Sequence, residues 1–354
     1  MYDVIIIGGG PAGSTLARLL GDRLKVLILD QRDLGRSFAG GFEKCCGGLL
    51  APDAQEMLAR FGLGLPKSVL TGPQLFAVRT IDLVSGQQRY YPRNYINVSR
   101  EAFDRWLVSL LPQQVDSLWG ANFLGFSQVS EAVEVSYIYG GQRQKALTRI
   151  LVGADGALSR VRAGLGPGSK PRSYVALQEW FKVSEPMPYF SAVFDPAITD
   201  FYAWMIPKDQ MLLVGAAIPA GTDVLARFAL LKQKLHGQGF DLGNSVRRRG
   251  TSLLRPLAGH GLSRGAGQVV LIGEAAGWVS PSSAEGISYA FRSALALARA
   301  LDKGCEGVLR RYRRLTRGLG LNILGKTAKC PPMYWPLLLR LAMGSGLLSI
   351  EIVE

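Results

Sequence analysis

The hydrophobic pattern of the chain changes character several times along its length. The strand patterns VIII at residues 4–7 and KVLILD at residues 25–30, both with apolar centres, flank a helical pattern over 12–20. Buried strands separated by a helix are typical of a βαβ unit, so we expect the chain to open with a parallel sheet. Residues 74–98 instead alternate apolar and polar positions, which indicates antiparallel strands.

Later segments repeat this change between two types of sheet. A helical pattern over 99–111 follows the first antiparallel region, and another strand-rich block covers 174–219. Helical patterns return over 224–236 and dominate after Ile287. We therefore predict a mixed α/β (α+β) fold, in which a Rossmann-like domain with a parallel sheet is interleaved with an antiparallel-sheet substrate domain. The predicted boundaries are 1–73, 99–168 and 262–304 for the Rossmann-like domain, 74–98 and 169–261 for the substrate domain, and 305–354 for a C-terminal helical segment.

The composition is that of a folded protein in a reducing compartment. Of the 354 residues, 48% are hydrophobic and 19% charged, which supplies ample material for a core. Four cysteines in a chain of this length do not form a disulfide framework, and the N-terminus has no basic leader before its apolar run. We therefore expect a cytoplasmic protein.

The net charge of +14 is unevenly distributed, because residues 307–350 contain eight basic residues and no acidic one. A basic surface attracts nucleic acid, anionic lipid or acidic ligands alike. No nucleic-acid partner is predicted, because the sequence has neither zinc-ligand spacing nor a basic heptad helix nor an RNA-binding aromatic signature.

The leucine-rich segment 333–350 overlaps this basic region. It contains Tyr334 and Trp335, aromatic residues that favour membrane interfaces, but Pro336 and Arg340 make it a poor membrane span. Two interpretations stay open. The segment lies on an anionic inner-membrane surface, which would make the protein peripheral, or its apolar face packs on the body of the protein.

A glycine-rich turn links the first strand pattern to the first helix. Glycines in the spacing Gly-x-Gly-x-x-Gly permit a tight turn, a close approach to a pyrophosphate and close packing of the helix, whose N-terminus favours phosphate. The acidic residue that ends the next strand is placed to bind ribose hydroxyls. These features predict a dinucleotide site. The residues assigned to it are Gly8, Gly10, Pro11, Ala12, Gly13, Asp30 and Gln31.

Two further motifs follow strand patterns later in the chain. Asp155 comes directly after the pattern RILVGA. The pattern VVLI ends at Gly273 and Glu274, and a long helix begins near Glu285 and Gly286, with Ile287 in its first turn. The first amides of that helix lack partners within it, so they can bind an electron-rich oxygen.

In this order and spacing the three motifs resemble the flavoprotein class that includes aromatic hydroxylases and geranylgeranyl reductases. The resemblance covers about residues 1–300 and implies FAD as the cofactor. It implies that the first motif holds the ADP half, that Asp155 lies near the pyrophosphate, and that the third motif binds the ribityl chain and flavin. Glu274 departs from the class, which has aspartate there. Arg100 matches a position at which proteins of this class commonly have an arginine that contacts the cofactor. The alternative for Arg100 is a helix residue on the protein surface without a role in binding.

Two segments resemble the geranylgeranyl reductase branch of this class. KCCGG is similar to its KPCGG segment, and YAWMIPK is similar to its Tyr-x-Trp-x-Phe-Pro motif. The chain also resembles the bacterial CbrA type through GGLLAPDAQ, the Ile-Thr-Asp before the Tyr-x-Trp pair and the Gly-Glu-Ala-Ala-Gly variant. The resemblance maps the family cysteine, which lies beside the flavin ring, onto Cys46. Cys45 replaces the family proline and inherits no role, and a disulfide between the two is not expected in the cytoplasm.

Cys46 and Tyr202 are the predicted catalytic residues. An isolated prenyl double bond needs a proton as it accepts hydride, and the Cys46 thiol, the Tyr202 hydroxyl or an ordered water would supply it. Glycines beside Cys46 would leave room for substrate. The alternatives are a small buried apolar residue for Cys46 and ordinary sheet packing for Tyr202 and Trp204. The predicted substrate-binding residues are Tyr202, Trp204, Pro207, Gly47 and Gly48. Cys46 and Gly47 are also predicted to contact the cofactor.

The sequence therefore predicts an FAD-dependent oxidoreductase that reduces carbon–carbon double bonds of a hydrophobic polyprenyl-type lipid. No second Gly-x-Gly-x-x-Gly unit is present, so we expect electrons from transiently bound NAD(P)H or from a ferredoxin-like protein. Two alternatives stay open: an FAD-dependent monooxygenase of the same fold, and a membrane-surface flavoprotein with a protective or lipid-binding role.

Overall fold

A computed structural model describes residues 1–35, 45–169, 171–185 and 187–353. The chain forms two compact units and passes between them several times. The first unit comprises Met1–Glu43, Glu101–Arg172 and Leu254–Gly325, and the second comprises Lys44–Arg100, Ser173–Leu253 and Lys326–Glu354. Residues 44–73 thus belong to the second unit, although the sequence analysis placed them with the first. The C-terminal helical segment is divided between the two units after Gly325.

The described residues form strands and helices in the following order. The strands are β1 (Tyr2–Ile7), β2 (Val26–Asp30), β3 (Leu49–Leu50), β4 (Leu75–Asp82), β5 (Gln88–Asn97), β6 (Asp116–Trp119), β7 (Asn122–Val129), β8 (Ala132–Tyr139), β9 (Gln142–Gly153), β10 (Arg172–Lys182), β11 (Phe190–Phe194), β12 (Ala203–Lys208), β13 (Met211–Pro219), β14 (Ser245–Arg255), β15 (Gly265–Ala266) and β16 (Val269–Leu271). The helices are α1 (Pro11–Leu20), α2 (Pro52–Arg60), α3 (Arg100–Ser109), α4 (Arg160–Ala163), α5 (Val224–Gly237), α6 (Ile287–Leu301), α7 (Val308–Leu315), α8 (Arg317–Ala328), α9 (Cys330–Tyr334) and α10 (Pro336–Gly344). Short 3-10 turns cover Lys67–Val69, Leu257–Gly259 and Gly273–Ala276.

The sheet of the first unit has the order β15-β16-β9-β1-β2-β6, and β8 and β7 continue from β9. Strand β1 pairs in parallel with β2 and β9, and β16 pairs in parallel with β9. The predicted parallel sheet is therefore confirmed. Its strands are covered on both faces, which explains why they are continuous apolar runs in the sequence.

Alternate residues of β1 enter two different cores of the first unit. Ile6 packs in one core with Leu16 of α1 and Leu297 of α6. Ile5 packs in the other with Val133 of β8. Successive side chains of a strand point to opposite faces, so one strand contributes to both layers. This arrangement fixes the position of the turn that follows Ile7.

The sheet of the second unit has the order β14-β10-β13-β12-β11-β4-β5-β3. Strands β4 and β5 pair antiparallel, as predicted for residues 74–98, whereas β11 and β4 pair in parallel. Helix α5 covers one face through Phe228 and Leu231, which pack in one core with Met205 and Val214. The mixed α/β fold with one parallel and one antiparallel sheet region is thus confirmed.

No helix in the described part of the chain combines the length and the apolar character that a membrane crossing requires.

Candidate functional site

The strands that precede the three glycine-rich motifs end side by side in the first unit. Ile7 is paired with Gly153, and Gly153 is paired with Leu271. The three strands run parallel, so the turns that follow them leave the sheet at the same edge. Ligands of open α/β sheets bind at this carboxyl edge.

Glycine contacts bring the three turns together. Gly8 has φ +109°, and a Cβ on it would lie 2.4 Å from the carbonyl oxygen of Ala154, beside the second motif. A Cβ on Gly13 would lie 1.8 Å from the Gly8 oxygen, so α1 packs directly against the turn. A Cβ on Gly273 would lie 2.9 Å from the Cβ of Ala12. The first motif therefore touches both of the others.

Gly10 is different, because it faces open space. It is the N-cap of α1 and has an ordinary φ of −76°. Among the residues that the structure describes, a Cβ on it would meet only Nη2 of Arg32, at 4.0 Å. Pro11 and Ala12 are the first two residues of the helix, and within the described residues no side chain caps its N-terminus. Free amides beside open space fit the pyrophosphate of a dinucleotide.

The Asp30 carboxylate organises this turn. Its Oδ2 accepts hydrogen bonds from the Gly9 amide at 2.6 Å and from Nη2 of Arg32 at 3.0 Å. Its Oδ1 accepts from the Arg32 amide at 2.7 Å. Both oxygens thus serve the protein itself, and the binding of ribose hydroxyls by Asp30 stays a prediction.

Arg32 is a partly buried cation that sequence reasoning missed. Besides Asp30, its Nη1 binds Oδ2 of Asp104 on α3 at 2.9 Å. Burial alone would lower the pKa of Arg32, but the charges of Asp30 and Asp104 raise it above its ordinary value. The guanidinium is also the nearest protein group to the open space at Gly10. The sequence does contain a signal for this residue, because Arg32 follows two residues after Asp30, the acidic residue that ends β2.

The Asp155 carboxylate is held at the start of α4. It accepts hydrogen bonds from Oγ of Ser159 at 2.5 Å and from the Val161 amide at 3.2 Å. Burial raises its pKa, and these hydrogen bonds lower it in part. A carboxylate kept in a position that disfavours its charge is a candidate for a functional group.

Other contacts join the second motif to the third. Nη1 of Arg162 on α4 donates to the Ala275 carbonyl at 3.4 Å, and Nη2 donates to the Ser169 carbonyl at 2.7 Å. The Glu274 side chain accepts from the Leu254 amide at 3.3 Å. Gly286 is the N-cap of α6, which begins at Ile287, within two residues of the predicted start.

In the second unit, the adjacent cysteines have different surroundings. Cys45 is only 8% exposed, and its Sγ lies 3.1 Å from Oε1 of Gln178. The same sulfur lies 3.5 Å from the Ala176 carbonyl and 3.7 Å from the Arg249 carbonyl. Cys46 is half-buried, and its Sγ accepts from the Gly48 amide at 3.5 Å. Both side chains are thiols. Lys44 of the KCCGG segment lies outside the described residues.

The two glycines after Cys46 pack on β12. A Cβ on Gly47 would lie 2.5 Å from Cδ1 of Ile206. Gly48 has φ +62°, and its Cβ would lie 2.3 Å from the Val98 carbonyl oxygen. Nζ of Lys208 donates to the carbonyls of Gly48 at 3.2 Å and Val98 at 2.9 Å. These contacts give the glycines a packing role, and their role in substrate binding stays a prediction.

Trp204 lies on the same strand face as Ile206, two residues earlier. Its partner in β13 is Gly215, where a Cβ would lie 2.4 Å from Nε1 of the indole. Gly215 is in turn paired with Gln178, the acceptor of the Cys45 thiol. Trp204 is 7% exposed, and its Nε1 has no hydrogen-bond partner among the described residues.

Tyr202 belongs to an aromatic cluster. The centroid of its ring lies 5.6 Å from that of Trp204 and 4.9 Å from that of Phe201. Pro207, another predicted substrate residue, lies on the same strand as Trp204, and its carbonyl accepts a hydrogen bond from the side-chain amide of Asn97 at 2.8 Å. An apolar aromatic surface with one unsatisfied donor therefore accompanies the Cys-Gly-Gly loop.

Two further predicted cofactor residues differ in burial. Arg100 is buried as the first residue of α3, which removes the alternative of a surface residue. Gln31 is exposed directly after β2. Their contacts with a cofactor stay predictions.

The fold is that of FAD-dependent oxidoreductases. A geranylgeranyl bacteriochlorophyll reductase-like protein from Thermoplasma acidophilum superimposes with a TM-score of 0.80, covering 97% of this chain and 98% of that one at 17% identity. PqsL from Pseudomonas aeruginosa, a probable FAD-dependent monooxygenase, superimposes with a TM-score of 0.70, covering 97% and 99% at 20% identity. No protein-family model matches the chain.

Sequence comparison gives a narrower assignment. Protein CbrA of Escherichia coli O6:H1 (strain CFT073) is 42% identical over 349 residues, which cover 99% of this chain and 94% of that protein. The chain therefore belongs to the CbrA family, and its predicted resemblance to CbrA-type proteins is confirmed.

Proposed function

We propose that the protein is an FAD-dependent oxidoreductase that reduces carbon–carbon double bonds of a hydrophobic, polyprenyl-type substrate. The observation that carries the cofactor assignment is the meeting of three glycine-rich turns at the aligned ends of β1, β9 and β16. The KCCGG and YAWMIPK segments support the reductase assignment, as does the fold shared with a protein described as geranylgeranyl bacteriochlorophyll reductase-like.

The first unit would bind FAD through groups already in position. The free amides at the start of α1 would bind the pyrophosphate, and the absence of a side chain at Gly10 lets that backbone approach it. The partly buried Arg32 adds positive charge at the same place. Asp155 and the N-terminus of α6 complete the set of polar groups at this edge of the sheet. When bound and reduced, FAD supplies a hydride.

The second unit would bind the substrate and provide the proton. The aromatic side chains of Tyr202 and Trp204 suit an isoprenoid chain. The Cys46 thiol or the Tyr202 hydroxyl would protonate one alkene carbon as hydride reaches the other. The product then carries two more hydrogens per reduced bond. Electrons would come from NAD(P)H or from a ferredoxin-like protein.

The cofactor assignment is tested by Gly10→Ala, with Gly64→Ala as the matched control. At both positions a Cβ enters space free of close protein contacts, and neither glycine has a positive φ. We expect Gly10→Ala to keep the wild-type melting temperature without added cofactor but to lose most of its bound FAD. Gly64→Ala should retain both properties. A colourless wild-type protein that does not take up FAD would refute the assignment.

The reaction is tested by lipid mass spectrometry. Cells that lack the protein are compared with cells that overproduce either the wild type or Cys46→Ser. We expect polyprenyl species heavier by two hydrogens per reduced bond only with the wild type. Their absence in every strain, while the protein holds FAD, would refute the reductase while leaving the cofactor assignment intact.

A monooxygenase is the second candidate, because PqsL shares the fold over nearly the whole chain. The two reactions differ in their use of oxygen. A product that contains ¹⁸O after incubation with NAD(P)H and ¹⁸O₂ would favour the monooxygenase. A product that gains only hydrogen, and forms equally well without oxygen, would favour the reductase.

A further inference from the structure

Helix α10 is apolar on two opposite faces. Leu339 and Met343 are 7% and 1% exposed, so this face packs into the second unit. Leu337 and Leu341 are 70% and 62% exposed. With 3.6 residues per turn, positions two apart in the helix point in nearly opposite directions. The packing interpretation of the sequence thus accounts for one face and leaves the other in solvent.

The exposed leucines belong to a larger concentration of apolar surface. Of the 22 large hydrophobic side chains exposed in the described residues, eight lie between residues 335 and 353. Scattered exposed hydrophobics are normal, but a contiguous group marks an interaction surface. We call five of them the C-terminal apolar patch. They are Trp335, Leu337, Leu341, Leu347 and Leu348.

Basic residues outnumber acidic ones in the segment that carries this patch, although Lys326 and Arg340 are paired with Asp53 and Asp82 and Glu351 follows directly after it. From residue 326 to residue 350 the chain contains Lys326, Lys329 and Arg340 and no acidic residue. Lys329 is exposed, and the Arg340 side chain is 40% exposed although its Nε lies 3.3 Å from Oδ2 of Asp82. Basic residues beside exposed leucines attract an anionic surface and repel an identical patch on a second copy of the chain.

We propose that the C-terminal apolar patch docks the protein on the surface of a bilayer that contains anionic lipid. Leu337 and Leu341 would enter the boundary between headgroups and acyl chains, with α10 parallel to the membrane plane. Trp335 would lie at headgroup level, where aromatic side chains with a polar edge are favoured. This docking is independent of the substrate of the enzyme and of its cofactor.

The test is cosedimentation of the full chain with vesicles of phosphatidylcholine alone or with 30% phosphatidylglycerol, a fraction of about one-third chosen to resemble a strongly anionic surface. We expect the wild type to pellet with the anionic vesicles and to be released by about 0.5 M salt, which shortens the screening length below that of physiological buffer. Leu337→Ser/Leu341→Ser should bind at least tenfold more weakly. Leu225→Ser, at an exposed leucine of α5 in the same unit, should bind like the wild type.

A second measurement locates the contact. Anionic vesicles should shift the tryptophan emission of the wild type to shorter wavelength, and Trp335→Phe should lose this shift while keeping the melting temperature. The proposal is overturned if the wild type does not pellet with anionic vesicles, or if the double variant binds them as well as Leu225→Ser does. It is also overturned if the wild type is a dimer that the double variant converts to a monomer, since a second copy would then occupy the patch.

Discussion

The thiol of Cys45 donates a hydrogen bond to the side-chain oxygen of Gln178, with 3.1 Å between Sγ and Oε1. The same sulfur also lies near two further oxygen acceptors, the carbonyls of Ala176 and Arg249. Cys46 instead receives the amide of Gly48. Cys45 therefore anchors the loop to β10, and the less buried Cys46 is the residue that we propose to react.

This difference predicts selective alkylation. With iodoacetamide near neutral pH, we expect Cys46 to be modified at least tenfold faster than Cys45, because it is more exposed and receives a hydrogen bond. Peptide mass spectrometry on Cys45→Ser and Cys46→Ser separates the two neighbours, which share one peptide. Rapid labelling of Cys46→Ser at position 45 would contradict the anchoring role.

The sequence predicts those features of the site that depend on local geometry. The spacing of Gly8 and Gly13 follows from a turn between an adjacent strand and helix, so it can be read from a few residues. The bond between Cys45 and Gln178 spans 133 residues, and that between Arg32 and Asp104 spans 72. Local hydrophobic periodicity does not predict such pairings, because they depend on the order of strands in a sheet.

The ion pairs of Arg32 should stabilise the first unit. Arg32→Met leaves two largely buried carboxylates, those of Asp30 and Asp104, without this partner, so we expect the free energy of unfolding to fall by about 3 kcal/mol. The measurement is urea unfolding followed by circular dichroism. Arg60→Met serves as the control, because the Arg60–Glu56 pair is exposed and should contribute little. Equal losses in both variants would contradict the expectation.

The fit of the Trp204 indole over Gly215 predicts strong coupling between these two positions. Gly215→Ala places a methyl group against the indole, and overpacking of this kind costs about 1–3 kcal/mol. In a Trp204→Ala background the same substitution should cost much less, because the obstructing ring is gone. A double-mutant cycle in urea measures the coupling. Gly125→Ala in β7, where a Cβ meets nothing within 4 Å, is the control for glycine replacement in a strand. Additive effects at 204 and 215 would contradict the packing.

The raised pKa of Asp155 predicts how its replacement changes with pH. Burial raises this pKa in the folded protein, so between the unfolded value of about 3.9 and the folded value the folded state binds more protons. The contribution of Asp155 to stability therefore falls as pH rises through this window. Asp155→Asn removes that loss, so the melting temperature of the variant relative to wild type should be higher at pH 7.5 than at pH 4.5. The substitution Asp22→Asn, at an exposed position, controls for the loss of one negative charge.

We also expect Asp155→Asn to weaken FAD binding, because a role in binding would explain why a carboxylate lies where its charge is disfavoured. A variant with a falling relative melting temperature and unchanged FAD binding would show that Asp155 serves only to cap α4.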